Sequence, residues 1–306
     1  MRLRTWTALW TLYLVWGSTY LGIKVMVETM PPFLSAGARF ALAGLLLVAV
    51  LALRGQSLRV TRRELAACAA LGAALLTFGV GVVTVAETRI DSSVAAIIAS
   101  SVPLQVVLLR FLSRQRIART TLAGVAVGLA GVALVVVPAG GGDSSLGGLA
   151  IMLCASISWS LGSFFSHRAP LPENPFVSTV WEMLAAAVFL MVLGVAAGEA
   201  GDVRPEAFSG RSLAAFAYLA VAGSLVGFSA YVWLLHHVPI SKVVTHQYVN
   251  PLVAVLLGAA FLSERLSWTA LLGATLIVGS VFAVVRRETA LPGEDGAREP
   301  ALEPAA

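Results

Sequence analysis

Charge is what this chain has least of: Asp, Glu, Lys and Arg make up 12% of its 306 residues, against 58% hydrophobic residues. A soluble domain carries about 25% charged residues. With so few, the chain lacks the polar surface needed to cover a water-exposed globule. Cysteine is almost as scarce. Cys68 and Cys154 lie in separate apolar runs with no metal-ligand spacing, so they read as small buried hydrophobes rather than a disulfide or a metal site. No HExxH, paired-carboxylate or nucleophile motif occurs. The Gly140–Gly142 stretch with Asp143 lacks the Gly-Lys-Ser/Thr that would cradle a phosphate, so it reads as a turn. These absences leave no sign of catalysis, of a cofactor or of a nucleotide-driven pump within the chain. The net charge of +5 would suggest nucleic acid in a soluble protein. Here the basic residues sit in short loops between apolar runs, and membrane insertion accounts for them instead.

What is present is a series of apolar runs, each excluding charge over about 20 residues, as transmembrane helices do; the mean hydropathy is +0.87. Their cores are Trp6–Val25, Phe33–Leu53, Leu65–Val85, Val94–Leu112 and Leu122–Val137, then Leu146–Phe165, Phe176–Ala197, Leu213–Leu235, Ile240–Leu262 and Trp268–Val285. Met1-Arg2-Leu3-Arg4 imitates a signal-peptide start, but no small-residue cleavage site follows, so the first run is expected to be an uncleaved helix. The Pro-, Gly-, Ala- and Glu-rich tail over 288–306 is expected to be disordered and cytoplasmic. With the N-terminus inside, fifteen of the 21 Lys and Arg residues fall in cytoplasmic segments. Four, Arg89, Arg204, Arg211 and Arg265, fall outside, while Lys24 and Arg39 lie within spans. That bias predicts an even number of spans with both termini cytoplasmic.

The two halves repeat. Trp16, Pro32 and Arg39 have counterparts at Trp159, Pro175 and Glu182, each 143 positions later. Gly79, Ser93, Pro103 and Gly131 match Gly227, Ser241, Pro251 and Gly279, each 148 positions later. Five spans per copy is an odd number, so the second copy must enter the membrane from the opposite side. The expected fold is therefore all-α and integral to the membrane: ten transmembrane helices as two inverted five-helix repeats, over 5–137 and 146–285. Many secondary transporters have this architecture, with the site near midplane between the copies. One mismatch fits the same scheme. Arg116 occupies the position of Glu264, and the first lies on the inner side, the second on the outer.

Trp16-Gly17-Ser18-Thr19-Tyr20 running to Lys24, Ala38-Arg39-Phe40, and Asn250-Pro251 with Ser263-Glu264-Arg265-Leu266 and Gly273 together resemble the EamA-type repeats of the drug/metabolite transporter superfamily. The likeness runs from Thr5 to Val285 in two copies. The Gly-Glu-Lys/Arg-like ending usual after the fourth helix is absent from the first copy, which reads Leu112-Ser113-Arg114-Gln115-Arg116. The resemblance implies a permease with a central cavity lined mainly by helices 1, 3 and 4 of each copy, working by rocking or gating. It implies export of a small amino-acid-like or amphipathic metabolite from a bacterial inner membrane.

Polar groups inside a span need a partner or a wet cavity. Lys242, His246 and Asn250 recur every four residues and share a helical face, with Thr245, Gln247 and Tyr248 beside them. Pro251 withholds a backbone donor from the turn before it. That stripe either contacts substrate or forms a satisfied cluster between helices, with Lys242 snorkelling to the cytoplasmic edge. Trp16 and Trp159 lie mid-span, too deep for interface anchors, and are candidates to flank the cavity with Tyr20. Ser156, Ser158, Ser160 and Ser163 read better as close-packing hydroxyls. Arg39 and Glu182 are candidates for a coupling or structural charge, as a pair or satisfied separately, with Glu182 or His246 as a proton carrier. Gly124, Gly128 and Gly131 form a close-packing face, within the fold or between two copies of a homodimer. The competing function is lipid handling in the same membrane, as a scramblase or a lipid-modifying enzyme; the latter would need clustered catalytic groups that the sequence lacks.

Overall fold

The computed structural model describes residues 3–290 apart from 116, 140–144, 167, 238–242, 244 and 266. Among these residues the chain is all helix and turn. The first half holds α1 (Leu3–Met26), α2 (Pro32–Leu53), α3 (Arg62–Ala86), α4 (Ser92–Leu112) and α5 (Arg119–Ala139). The second holds α6 (Leu146–Ser166), α7 (Pro175–Ala196), α8 (Gly210–Tyr218, Leu219–Val226 and Gly227–His237 end to end), α9 (His246–Leu262) and α10 (Trp268–Ala290). Seven helices of the described residues are long and apolar enough to cross a membrane, with shorter apolar helices at Arg119–Val135 and Val249–Leu262. This is a multi-pass membrane protein. Large apolar side chains such as Leu45, Val188, Val192, Leu256 and Phe261 point outward; lipid is the solvent that such a surface suits.

Local chemistry sets the helix starts. Thr61 and Glu64 form a reciprocal capping box at α3. Pro32 and Pro175, equivalent in the repeat, open α2 and α7, where a missing N–H costs nothing. The tail does not begin where the composition placed it. α10 continues to Ala290, and residues 291–306 lie outside the described residues.

Three helices depart from regular α geometry. The middle of α3, Gly72–Gly81, and the middle of α8, Leu219–Val226, are π-helical. They occupy corresponding stretches of the two halves. Helix α4 breaks at Ser100 and Ser101, whose hydroxyls turn back onto the carbonyls of Ile97 and Ile98, each at 2.6 Å. Irregular backbone at membrane depth is tolerated only where protein buries it or where it lines a cavity.

The halves are joined along their lengths and at one end. Phe40, Met183 and Leu190 pack between α2 and α7. At the end where α1 finishes and α2 begins, Glu199 accepts hydrogen bonds from Phe33 N (3.0 Å) and Leu34 N (2.9 Å), capping α2 from the other half. Glu264 does the same for α4, accepting from the backbone N–H and hydroxyl of both Ser92 and Ser93. A carboxylate at a helix N-terminus meets orphan amides and the positive end of the dipole.

The glycine stripe of α5 is occupied within the fold. A Cβ on Gly131 would lie 2.8 Å from the carbonyl oxygen of Gly273 on α10, and one on Gly273 would lie 2.6 Å from that of Gly131. Gly128 similarly admits Ser280. This face is therefore spent on α10 and not left for a second copy. We expect Gly131→Ala to force the two helices apart and to cost about 1–3 kcal/mol, read as a lower melting temperature of the detergent-purified protein. An unchanged transition would mean that the α5–α10 approach has slack.

Candidate functional site

A central cavity of about 120 Å³ lies between the halves. Trp16, Tyr20, Arg39, Trp159, His246 and Asn250 all line it, together with Gln247, Gly79, Gly223 and Phe228. The structure thus brings together six of the nine residues singled out from sequence. Tyr248 lies on α9, but its side chain is outside the described set, and Lys242 lies outside the described residues altogether. Glu182 is not in the lining; its carboxylate accepts from Ser178 Oγ at 2.6 Å, one turn away on α7.

The tryptophans are held by an exchange between halves. A Cβ on Gly79 would meet the Trp159 ring at 3.0 Å, and a Cβ on Gly227 would meet Trp16 Nε1 at 2.5 Å. Each half thus supplies the ring, and the opposite half supplies the glycine that makes room for it. The π-helical stretches take part through their carbonyls. Trp16 Nε1 donates to Gly223 O (3.3 Å), and Ser158 Oγ donates to Ala74 O (2.8 Å). Trp16 also packs against Phe228, Tyr231 and His246, with ring centroids 5.2, 5.2 and 5.3 Å away. This gives one wall of the cavity an aromatic face.

The polar groups divide into bonded and open ones. His246 Nδ1 bonds Val243 O at 2.8 Å, which fixes the ring. Asn250, with its amide oriented by its acceptors, donates to His246 O (3.1 Å) and Tyr13 O (3.3 Å), tying α9 to α1. Arg39 donates from Nε to Ser224 Oγ (2.9 Å) and stacks over Phe40, yet its buried Nη1 has no partner. Arg39 and Glu182 have separate partners, Ser224 and Ser178. Pro103 and Pro251, equivalent in the repeat, withhold the N–H that the carbonyls of Ala99 and Gln247 would accept in a regular helix. Both of those residues line the cavity. Among the described residues no group of three His, Cys, Asp or Glu gathers where it could hold a metal ion.

The model of the EamA-like transporter family matches this chain twice, over residues 5–137 and 146–286. The chain belongs to that family. It is a transporter of small solutes across a membrane. It is 39% identical over 289 residues to the uncharacterized inner membrane transporter YedA of Escherichia coli K12, covering 94% of this chain and 92% of YedA. Protein PecM of Dickeya dadantii is 27% identical over 278 residues, with 88% of each chain covered. A protein of known crystal structure, 23% identical, shares the fold with a TM-score of 0.63 over 94% of this chain and 99% of its own.

Several residues at this site escape a reading of the sequence. Gln105 on α4 donates from Nε2 to Ser101 and Ser156, both at 2.9 Å, and accepts from Ser160 at 2.8 Å. This network ties α4 to α6 beside the cavity and explains why those serines are there. The sequence signal available was a lone amide in an apolar run. Replacing Gln105 by Leu would leave the hydroxyls of Ser101, Ser156 and Ser160 only the carbonyls of Ile98, Leu153 and Ser156 on their own helices, and cost about 0.5–1.5 kcal/mol for each bond lost. We expect that loss as reduced thermal stability, partly restored when Ser156 and Ser160 are also made Ala; no change in either variant would show the network to be idle.

Proposed function

We propose that the chain is a bacterial inner-membrane permease of ten spans, two inverted five-helix copies with both termini cytoplasmic, that exports a small amphipathic metabolite by alternating access. The observation that carries this reading is the convergence of repeat-related pairs on one cavity: Trp16 with Trp159, and the prolines behind Ala99 and Gln247. A site shared equally by two similar halves is one that either half can expose by rocking. The cavity is also smaller than the roughly 300–1,000 Å³ of a ligand pocket. It must widen to hold a metabolite, so the conformation described is a contracted one. The inner membrane is also where the related YedA is named as residing.

The lining suggests the substrate class. The aromatic wall around Trp16 suits an apolar or aromatic body, and an ammonium group can sit on a ring face such as that of Trp159. The open Nη1 of Arg39 suits a carboxylate. An amino-acid-like solute satisfies all three. Trp16, Tyr20, Trp159, His246 and Asn250 are accordingly proposed as substrate-binding residues, with Arg39 as the anion contact. Tyr248 and Lys242 join them on the α9 stripe by sequence alone, and Glu182 is left to a structural role beside Ser178.

Metabolites accumulating outside an overexpressing strain identify the solute, and proteoliposomes then measure its flux. We expect Trp16→Ala to lower transport efficiency about tenfold, the loss of about 1.4 kcal/mol, with membrane abundance unchanged. Arg39→Gln should weaken carboxylated solutes more than their amides. Normal kinetics in both variants, or lipid movement without solute flux, would move the site elsewhere. Impermeant labelling that places the two termini on opposite faces would rule out the inverted ten-span arrangement.

A further inference from the structure

The side chain hardest to reconcile with its surroundings is Glu87, just past the last turn of α3. It is 0% exposed, and neither carboxylate oxygen has a hydrogen-bond partner among the described residues. An ionised carboxylate is not held dry and unbonded in a protein interior, whereas a neutral carboxyl is tolerated there. The obvious cation is already engaged. Lys24 Nζ donates to the backbone carbonyls of Glu87 and Ile90, both at 2.7 Å. On the other side of the same turn, Glu264 caps the start of α4. The α3–α4 turn is therefore clasped from both flanks. An ammonium sits on the carbonyl end of α3 and a carboxylate on the amide end of α4, each matching its helix dipole.

Glu87 lies behind this clasp, one helical turn from Val83, which lines the cavity. The ionisable groups facing it are Tyr20 and Lys24 from α1, Arg39 from α2, and Glu264 from the α9–α10 link. Helix α6, also packed there, brings only Cys154, which is exposed. The turn itself carries Arg89 and Asp91. In the second half, the position equivalent to Glu87 is Leu235, so the carboxyl is not duplicated.

We propose that Glu87 carries a proton that governs opening of the clasped end. With the clasp closed, the carboxyl is neutral. When the clasp opens, the O–H bond breaks, the proton passes to water in the opened vestibule, and the electron pair stays on the carboxylate. Lys24, freed from its two carbonyls, then pairs with that carboxylate. Closing with Glu87 still ionised would drive a second negative charge toward Glu264, so closure takes the proton back. Low pH on that side favours the closed form, and high pH favours the open one. The proposal rests on the transporter reading, but its test uses no solute.

Infrared spectra of the purified protein in lipid nanodiscs distinguish a neutral carboxyl from a carboxylate. At pH 7 the wild type is expected to show the neutral-carboxyl C=O band, Glu182→Gln to keep it, and Glu87→Gln to lose it. Glutamine mimics the neutral acid in shape, so that variant should fold. A second readout is the rate at which a membrane-impermeant maleimide labels Val94→Cys, placed just inside the clasp, with Cys68 and Cys154 replaced by Ala. Rates are normalised to the same chain unfolded in detergent, which removes the thiol's own pH dependence. Labelling should rise with pH by up to about tenfold per unit, the limit for one proton, and become independent of pH in Glu87→Gln. A band that survives in Glu87→Gln, or one absent from the wild type, overturns the proposal. So does a pH slope that the variant leaves unchanged. Solute flux can fail without altering either readout.

Discussion

Inside a bilayer no water is present to satisfy a backbone group, and every departure from regular helix must be answered by protein or by a cavity. This molecule departs from regular helix in the same places twice. The π-helical middles of α3 and α8 correspond, and so do the prolines of α4 and α9. Gly223 O and Ala74 O, within the π-helical stretches, accept from Trp16 and Ser158 of the opposite half. The carbonyls behind the prolines belong to cavity-lining residues. Irregular backbone is thus gathered at the centre of the molecule, and the surrounding helices are left regular against lipid. The cavity follows from that arrangement.

The same exchange explains how the halves can be fitted closely. Trp16 and Trp159 each sit against the glycine of the other copy, where no Cβ stands in the way. Neither glycine contact involves a polar side chain, whereas the Trp16 indole is also held by its bond to Gly223 O, which a shift of that ring would have to break. At the clasped end the opposite holds. Glu199, Glu264 and Lys24 bond main-chain groups at helix termini, and water can replace each of those bonds when the end opens. Apolar packing at the centre and water-exchangeable polar bonds at the rim fit the alternating cycle proposed above.

The membrane character and the central tryptophans were legible because the hydrocarbon imposes them on composition: charge is excluded from runs of fixed length, and a mid-span Trp has no headgroup to reach. His246 and Asn250 were legible from their spacing on one face, although Asn250 proves to spend its amide on Tyr13 and His246 as well as facing the cavity. The π-helical stretches left no such trace, because Gly79 and Gly227 look like any packing glycine until their partners are placed. Glu87 was passed over for a plain reason. It stands beside Thr88 and Arg89 at the margin of an apolar run, where a carboxylate ordinarily faces water. Its burial depends on Lys24 and on Glu264, the latter 177 positions away. Of the two arrangements that the sequence left open for Arg39 and Glu182, the side chains adopt separate partners, Ser224 and Ser178.

The two copies differ in charge at several equivalent positions. In the proposed inverted arrangement, the preference for basic residues on the cytoplasmic face acts on opposite ends of the two copies, so a basic residue is not expected at both of two equivalent loop positions. Arg116 in the first copy becomes Glu264 in the second, and only the acidic member can cap the amides of α4. Lys24 sits where its copy has His167, and Glu87 where its copy has Leu235. In the proposed orientation Lys24 stands at the outer end against that preference, held by the carbonyls of Glu87 and Ile90, with Glu264 capping the neighbouring helix start. The proton site proposed at Glu87 has no counterpart in the second copy, where Leu235 stands, so under that proposal the two ends of the molecule would respond differently to pH.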